Sequence, residues 1–265
     1  MKIIQVTDLH LVAPGERLHG LDPLGRLDAA LADIAAHHGD AALVVFSGDL
    51  ADAGAPAAYE ALRDRLARFP VPVRLMLGNH DDRAAFRAVF PEVPVEHGFV
   101  QTVVDTGEGR LILLDTLDQG AVPGRLCDDR LAWLDARLAE AAGRPVYIFL
   151  HHPPFRLHMP VLDAVRLLDD QAFLAACRRH GDVRHVFAGH VHRPVTGSWQ
   201  GLTFSALRGT NHQSSFDFTT GQGATIEEPP AYAVILIDAA GVVVHFHDFP
   251  VRLDATAVAR DPLPA

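Results

Sequence analysis

Five short apolar runs each stop at a glycine, aspartate or histidine motif, and this recurrence restricts the fold more than any other feature. Lys2–Val6 runs into Thr7-Asp8-Leu9-His10, Ala42–Phe46 into Ser47-Gly48-Asp49, and Val71–Leu77 into Gly78-Asn79-His80-Asp81. Pro145–Leu150 runs into His151-His152, and Arg184–Phe187 into Ala188-Gly189-His190-Val191-His192. Short apolar runs closed by turn residues read as buried strands. Between them, Leu24, Leu27, Leu31 and Ile34 recur at helical spacing. Tyr59, Leu62 and Leu66 mark a second helix starting near Pro56, a residue tolerated in a first turn. The order β-α-β-α-β predicts a layered α/β fold.

The middle of the chain changes character. Phe99–Asp105 and Arg110–Leu114 flank Thr106-Gly107-Glu108-Gly109, a turn that predicts an antiparallel pair. Leu131, Leu134 and Leu138 predict a helix, as do Phe173, Leu174 and Cys177. Strands then dominate at Pro194–Trp199, Leu202–Ser205, Ala231–Ile237 and Val242–Phe249. This β-rich C-terminal third is expected to form a second sheet packed on the first. The polar stretch Thr210–Pro230 reads as a long loop or small lid, and such insertions are disproportionately functional. Residues 254–265 read as a loosely held tail.

At 265 residues and 49% hydrophobic, the chain can bury a full core as one domain. A net charge of -10 argues against general binding along a nucleic-acid backbone, which needs phosphate-neutralising Lys and Arg. It leaves room for a small phosphate ester, because bound cations supply local positive charge. Cys127 and Cys177 cannot make a disulfide framework, Asp8 and His10 interrupt any signal-like run, and no stretch is apolar enough to span a membrane. A cytoplasmic protein is the expectation. Of the 16 histidines, His37, His38, His180 and His185 are expected to be surface residues.

The five motifs hold ten residues able to ligate metal through oxygen or imidazole, and seven of them read as ligands, with a spare histidine. Seven ligands are too many for one ion with open positions and suit two ions sharing a carboxylate. Two ions about 3.5–4 Å apart form a clamp for in-line displacement at phosphorus. Loops beyond the carboxyl ends of strands are where open α/β sheets place ligands. Donors without thiolate favour Zn, Fe, Mn or Co.

The ordered set resembles the calcineurin-like metallophosphoesterases, in particular the class III cyclic-nucleotide phosphodiesterases and glycerophosphodiesterases. The likeness rests on Val6-Thr7-Asp8-Leu9-His10, Ser47-Gly48-Asp49-Leu50, Gly78-Asn79-His80-Asp81-Asp82, His151-His152-Pro153-Pro154-Phe155 and Gly189-His190-Val191-His192. It runs from residue 1 to about residue 215, and Gly209-Thr210-Asn211-His212-Gln213 extends it in the glycerophosphodiesterase branch. The resemblance implies a metallophosphoesterase domain over residues 1–253. Its architecture would be a layered αββα sandwich of two mixed sheets flanked by helices, with a small lid or cap loop near 205–230. One metal would take Asp8, His10 and His192, the other Asn79, His151 and His190, with Asp49 bridging both. In purple acid phosphatases a tyrosine three residues after the bridging aspartate ligates ferric iron. Asp52 stands there instead, which argues against a coloured Fe(III) site.

The implied reaction is hydrolysis of a small phosphodiester, a 3′,5′-cyclic nucleotide such as cAMP or a glycerophosphodiester. In it a hydroxide held by the metals would attack phosphorus, and His80 would protonate the leaving group as general acid. Asp49 and His80 are the implied catalytic residues, and Asn79, His80 and His212 the implied substrate contacts. Asp81 or Asp82 is expected to orient His80. His152 is expected to support His151 rather than to ligate metal. His212 is open between lining the pocket and standing exposed, and Phe216 and Phe218 between pocket wall, subunit contact and core. A homo-oligomer is expected. The rival readings are a broad-specificity phosphomonoesterase, a nuclease on the same core, and a non-catalytic metal-binding scaffold.

Overall fold

The computed structural model describes residues 1–141 and 143–251, so the expected tail at 254–265 lies outside the described residues. β1 (Lys2–Val6), β2 (Leu43–Ser47) and β3 (Val73–Met76) are parallel neighbours. They are mostly apolar because both faces are covered, as parallel sheets require. Ile4, Val6, Val44 and Phe46 face a helical layer, while Ile3, Leu43 and Val45 face inward. α1 (Pro23–His37) starts where Asp22 caps it by accepting from Gly25 N at 3.0 Å. It buries Leu24, Leu27, Ala30, Leu31 and Ile34 against that outer face, beside α2 (Pro56–Leu66).

The second sheet begins with the antiparallel pair β4 (Thr102–Thr106) and β5 (Gly109–Leu114) and continues in parallel through β6 (Val146–Leu150) and β7 (Val183–Ala188). β9 (Leu202–Ala206) lies parallel to β7, and β8 (Val195–Trp199) closes the edge antiparallel to β9. α4 (Asp128–Glu140) and α6 (Asp170–His180) cover its outer face with Trp133, Leu134, Leu138, Phe173 and Leu174. The two sheets enclose a third cluster that includes Ile3, Val45, Leu111, Phe149, Phe187 and Ile235. The layers are therefore helix, mixed sheet, mixed sheet, helix: the αββα sandwich.

Two expectations change. The C-terminal strands do not build a sheet of their own. β12 (Ala231–Asp238) pairs antiparallel with β1, and β13 (Gly241–Asp248) with β12, so both join the first sheet. The free side of β1 accepts them, and Ala233, Ile235 and Ile237 complete the inter-sheet cluster. His185, expected at the surface, is buried on β7, with Nε2 3.0 Å from Ser205 Oγ and its ring stacked on Phe187. It lies on a strand sandwiched between layers, which a helix-flank reading misplaces.

Two short helices, α3 (Arg83–Val89) and α5 (Pro160–Ala164), carry no periodic apolar signal, since α3 buries only Phe86 and α5 nothing. The 205–230 region holds a small hairpin, β10 (Gln213–Ser214) with β11 (Thr225–Ile226). Arg193 donates to Ser214 O at 3.1 Å and to Glu228 at 2.8 Å, and Arg26 to Asn211 O at 2.8 Å, which fastens the segment to the body. Among the described residues, no helix is long and apolar enough to cross a membrane.

Candidate metal centre

The parallel strands of both sheets deliver their carboxyl ends to one place, and backbone bonds stitch the emerging loops together. Asp8 N donates to Gly48 O at 3.1 Å, His10 N to Asp49 O at 2.9 Å, and Gly189 N to His151 O at 3.0 Å. The turns are sharp. Asp8, His10, Asp49, His190 and His192 all have positive φ, between 45° and 69°. Non-glycine residues in this region cost on the order of 1–3 kcal/mol each and concentrate at functional sites. Glycine is required at 78, where a Cβ would strike Asp49 Oδ1 and His151 Nε2.

Donor atoms of Asp8, His10, Asp49 and His192 lie within 4.8 Å of one another. Asp8 Oδ1 is 3.3 Å from His192 Nε2, while Asp49 Oδ2 is 3.3 Å from His151 Nε2 and 3.5 Å from His10 Nε2. Asp49 thus stands between the two halves. Each histidine's other nitrogen is committed: His10 Nδ1 donates to Asp52 Oδ1 at 3.0 Å, His192 Nδ1 to His212 O at 2.8 Å, and His151 Nδ1 to Ser47 O at 2.8 Å. A ring that donates through Nδ1 and is neutral presents a lone pair at Nε2. As neutral ligands, His10 and His192 would turn the lone pairs of Nε2 toward each other across 3.1 Å. Asn79 Oδ1, His151 Nε2 and His190 Nε2 are buried and without hydrogen-bond partners among the described residues. Buried acceptors facing acceptors cost free energy unless a cation lies between them. The donor set fits divalent metal.

Burial opposes charge on Asp8, yet His192 and His151 hold its carboxyl well below the usual range. Asp49 behaves likewise, with burial outweighed by His151 and His10. Burial pushes the His190 imidazole down to about 3, so it is neutral. His152 is fully buried among imidazoles and also held neutral. It accepts from Thr116 Oγ1 at 2.8 Å and donates through Nε2 to Val122 O at 3.1 Å, so both its nitrogens are spent. It packs edge-on against His151.

His80 stands at the rim, its side chain 40% exposed and its ring edge-on to His10 at 4.6 Å. Its backbone N–H donates to Asp49 Oδ1 at 2.9 Å, and Nδ1 donates to Asp52 O at 2.7 Å. Against partial burial, Asp52 and the charge of Asp49 raise its pKa to about 9. Neither expected neighbour orients this ring. Asp81 is turned into the protein, accepting from Leu50 N, Ala51 N, Gly78 N and the Tyr59 hydroxyl. Asp82 caps α3 by accepting from Ala85 N at 2.7 Å. Asp52 does the work expected of them, touching both His10 and His80.

His212 is not a free surface residue. Its ring lies 4.7 Å from His10, 4.6 Å from His192 and 4.7 Å from His19, and burial with those neighbours lowers its pKa to about 2. His19 had no motif to mark it. Phe216 and Phe218 are 67% and 48% exposed and pack on each other, with Arg193 over the Phe216 ring, so they are no part of the core.

Residues 1–194 match the calcineurin-like phosphoesterase family. A probable cyclic nucleotide phosphodiesterase of Rhodopseudomonas palustris is 43% identical over 250 residues, covering 92% of this chain and 91% of the relative. A glycerophosphodiester phosphodiesterase of Enterobacter lignolyticus is 29% identical over 223 residues, covering 80% and 78%. A dimetal phosphatase from Danio rerio shares the fold at a TM-score of 0.67 and 17% identity, over 92% of this chain and 95% of that one. On these matches, the chain belongs to the calcineurin-like phosphoesterase family.

Proposed function

We propose that this protein hydrolyses a small phosphodiester at a dinuclear divalent-metal centre. The observation that carries the reading is the crowding of His10 Nε2 and His192 Nε2 at 3.1 Å beside the carboxylates of Asp8 and Asp49, with the unpartnered ligand atoms of Asn79, His151 and His190 next to them. Asp8, His10 and His192 would hold one cation, Asn79, His151 and His190 the other, and Asp49 both. Fe, Mn, Zn and Co all suit these ligands. Bound there, the cations would neutralise the diester and lower the pKa of a shared water.

The chain's own groups supply the rest. Asp49 spends Oδ1 on the His80 N–H and keeps Oδ2 for the centre. Asn79 offers its amide N–H groups to a phosphate oxygen once Oδ1 is bound. His80, anchored through Nδ1 by Asp52, has Nε2 left to give a proton to the departing alkoxide. His212 walls the same cleft with a neutral ring. The 43% identity to a relative named for cyclic nucleotides, against 29% for one named for glycerophosphodiesters, favours a 3′,5′-cyclic nucleotide.

Two finer points belong to the same reading. A cytoplasmic setting is supported by two unpaired cysteines, one buried and one exposed. A homo-oligomer is supported by the exposed Phe216–Phe218 pair beside the hairpin.

The experiment is to assay the metal-loaded protein against cyclic AMP, glycerophosphocholine, bis(p-nitrophenyl) phosphate and p-nitrophenyl phosphate. Diesters, cyclic AMP foremost, should be turned over in preference to the monoester. A strong preference for p-nitrophenyl phosphate would replace this reading with a phosphomonoesterase.

A further inference from the structure

Residues 209–213 form a cradle beside the metal centre, and each of them is tied down. Gln213 closes the cradle on itself, with Oε1 accepting from Gly209 N at 3.0 Å and Nε2 donating to Gly209 O at 2.8 Å. Thr210 binds it to the loop after β1, its N–H donating to Thr7 O at 3.2 Å and its hydroxyl to Asp8 O at 3.3 Å. The Arg26 guanidinium of α1 donates to Asn211 O, and His192 Nδ1 to His212 O, both at 2.8 Å. Within this frame the Asn211 side chain is wholly buried, and its Nδ2 lies 3.3 Å from His212 Nδ1. Asn211 Oδ1 is buried and has no hydrogen-bond partner among the described residues.

An amide nitrogen has no lone pair to offer, so Asn211 Nδ2 donates and His212 Nδ1 accepts. A neutral imidazole that accepts at Nδ1 carries its single proton on Nε2. The ligand histidines are wired the other way. His10, His151 and His192 place Nδ1 against oxygen acceptors and keep Nε2 for a cation. His212 keeps Nε2 as a donor, which suits an anionic oxygen and not a cation. Its ring flanks two of the ligands, 4.7 Å from His10 and 4.6 Å from His192, so that this N–H stands beside the metal centre. An apolar residue of similar size at 211 would remove the unfilled Oδ1 but could not donate to Nδ1, which accounts for a buried asparagine there.

We propose that Asn211 is a positioning residue for the substrate: it holds His212 as the Nε2–H tautomer, and that N–H donates a hydrogen bond to a phosphate oxygen of the bound diester. The tautomer follows from the cradle alone, whereas the hydrogen bond to substrate rests on the diesterase reading above. The many ties to residues 209–213 fix the ring before substrate arrives, so little ordering is left to the binding step.

The test is nitrogen NMR of the His212 ring in the zinc-loaded protein at neutral pH, assigned by comparison with His212→Ala, together with kcat and KM on bis(p-nitrophenyl) phosphate. Wild type should carry the ring proton on Nε2. In Asn211→Leu the Nδ1 resonance should move downfield as its hydrogen bond is lost. The same variant should raise KM by about 3–10-fold, the worth of one net hydrogen bond, with kcat nearly unchanged. In a His212→Ala background, Asn211→Leu should raise KM by less than about twofold, because the two residues act as one unit. A proton on Nδ1 in wild type, or an equal rise in KM in both backgrounds, would overturn the proposal and make Asn211 a purely structural residue. Failure of the diesterase reading would show instead as absent turnover by wild type, which would overturn the substrate contact while the tautomer stood.

Discussion

Asp52 connects two jobs at the centre: its carboxylate holds His10 Nδ1, and its backbone carbonyl holds His80 Nδ1. His80→Ala should lower kcat by about 10²–10⁴-fold on a diester with a poor leaving group, and far less on bis(p-nitrophenyl) phosphate, whose leaving group needs no proton. Asp52→Ala should lower metal affinity by about 10–100-fold as well as kcat, a combination that His80→Ala should lack. Most of the centre is legible in sequence because each candidate ligand directly follows an apolar strand. Asp52 and His19 are less so, since loop residues meet their partners through folding that no local pattern encodes. Asp81 and Asp82 illustrate the converse, because residues next to His80 in the chain point elsewhere in space. His185 also escapes a sequence reading, and it carries a pH prediction. Burial holds its folded pKa down to about 4, whereas the unfolded chain titrates near 6.5. Between those values the unfolded state binds a proton that the folded state refuses, so stability falls as pH drops from about 6.5 to 4. The full effect is about 3 kcal/mol. Urea midpoints at pH 7.5 and 5 should differ less for His185→Gln than for wild type, and an equal difference would remove this assignment.

At the scale of elements, strands and long helices are readable because their burial is periodic, whereas α3 and α5 are placed by tertiary contacts. Asp115, just past β5, is the pin for α3 and α4. It accepts from Arg83 at 3.1 Å through both oxygens, and from Val100 N and Leu117 N at 2.9 Å, while its backbone carbonyl accepts from Arg130. The Asp115 side chain is wholly buried and that of Arg130 nearly so, with Nη1 3.8 Å from Oδ1. Asp115→Ala should therefore cost about 3–5 kcal/mol, read as a lower urea midpoint, because Arg130 would remain as an uncompensated buried charge. A loss below about 1 kcal/mol would mean that water reaches Arg130 and does the same work. The β10–β11 hairpin illustrates the opposite case. Two-residue strands have no sequence period, and arginines from α1 and from the loop after β7 hold the segment in place.

At the scale of the whole molecule, two sheets share one inter-sheet core, and their parallel strands converge on one edge of it. Gln5 spans that core, donating to Ser47 Oγ at 2.9 Å and to Ala188 O on the opposite sheet at 3.1 Å. The order of layers follows from the βαβ pattern, but the destination of the last two strands does not. A β-hairpin fits any open edge, and the edge of β1 is decided by packing against Ile235 and its neighbours. The net charge of -10 gains its meaning here as well, because a strongly negative molecule needs bound cations to hold a phosphodiester. The decisive measurement is activity on bis(p-nitrophenyl) phosphate as Mn(II) is returned stepwise to the chelator-stripped protein. Activity should be absent without metal and should reach its plateau at two equivalents. Full activity in the stripped protein, or a plateau at one equivalent, would contradict the dinuclear centre.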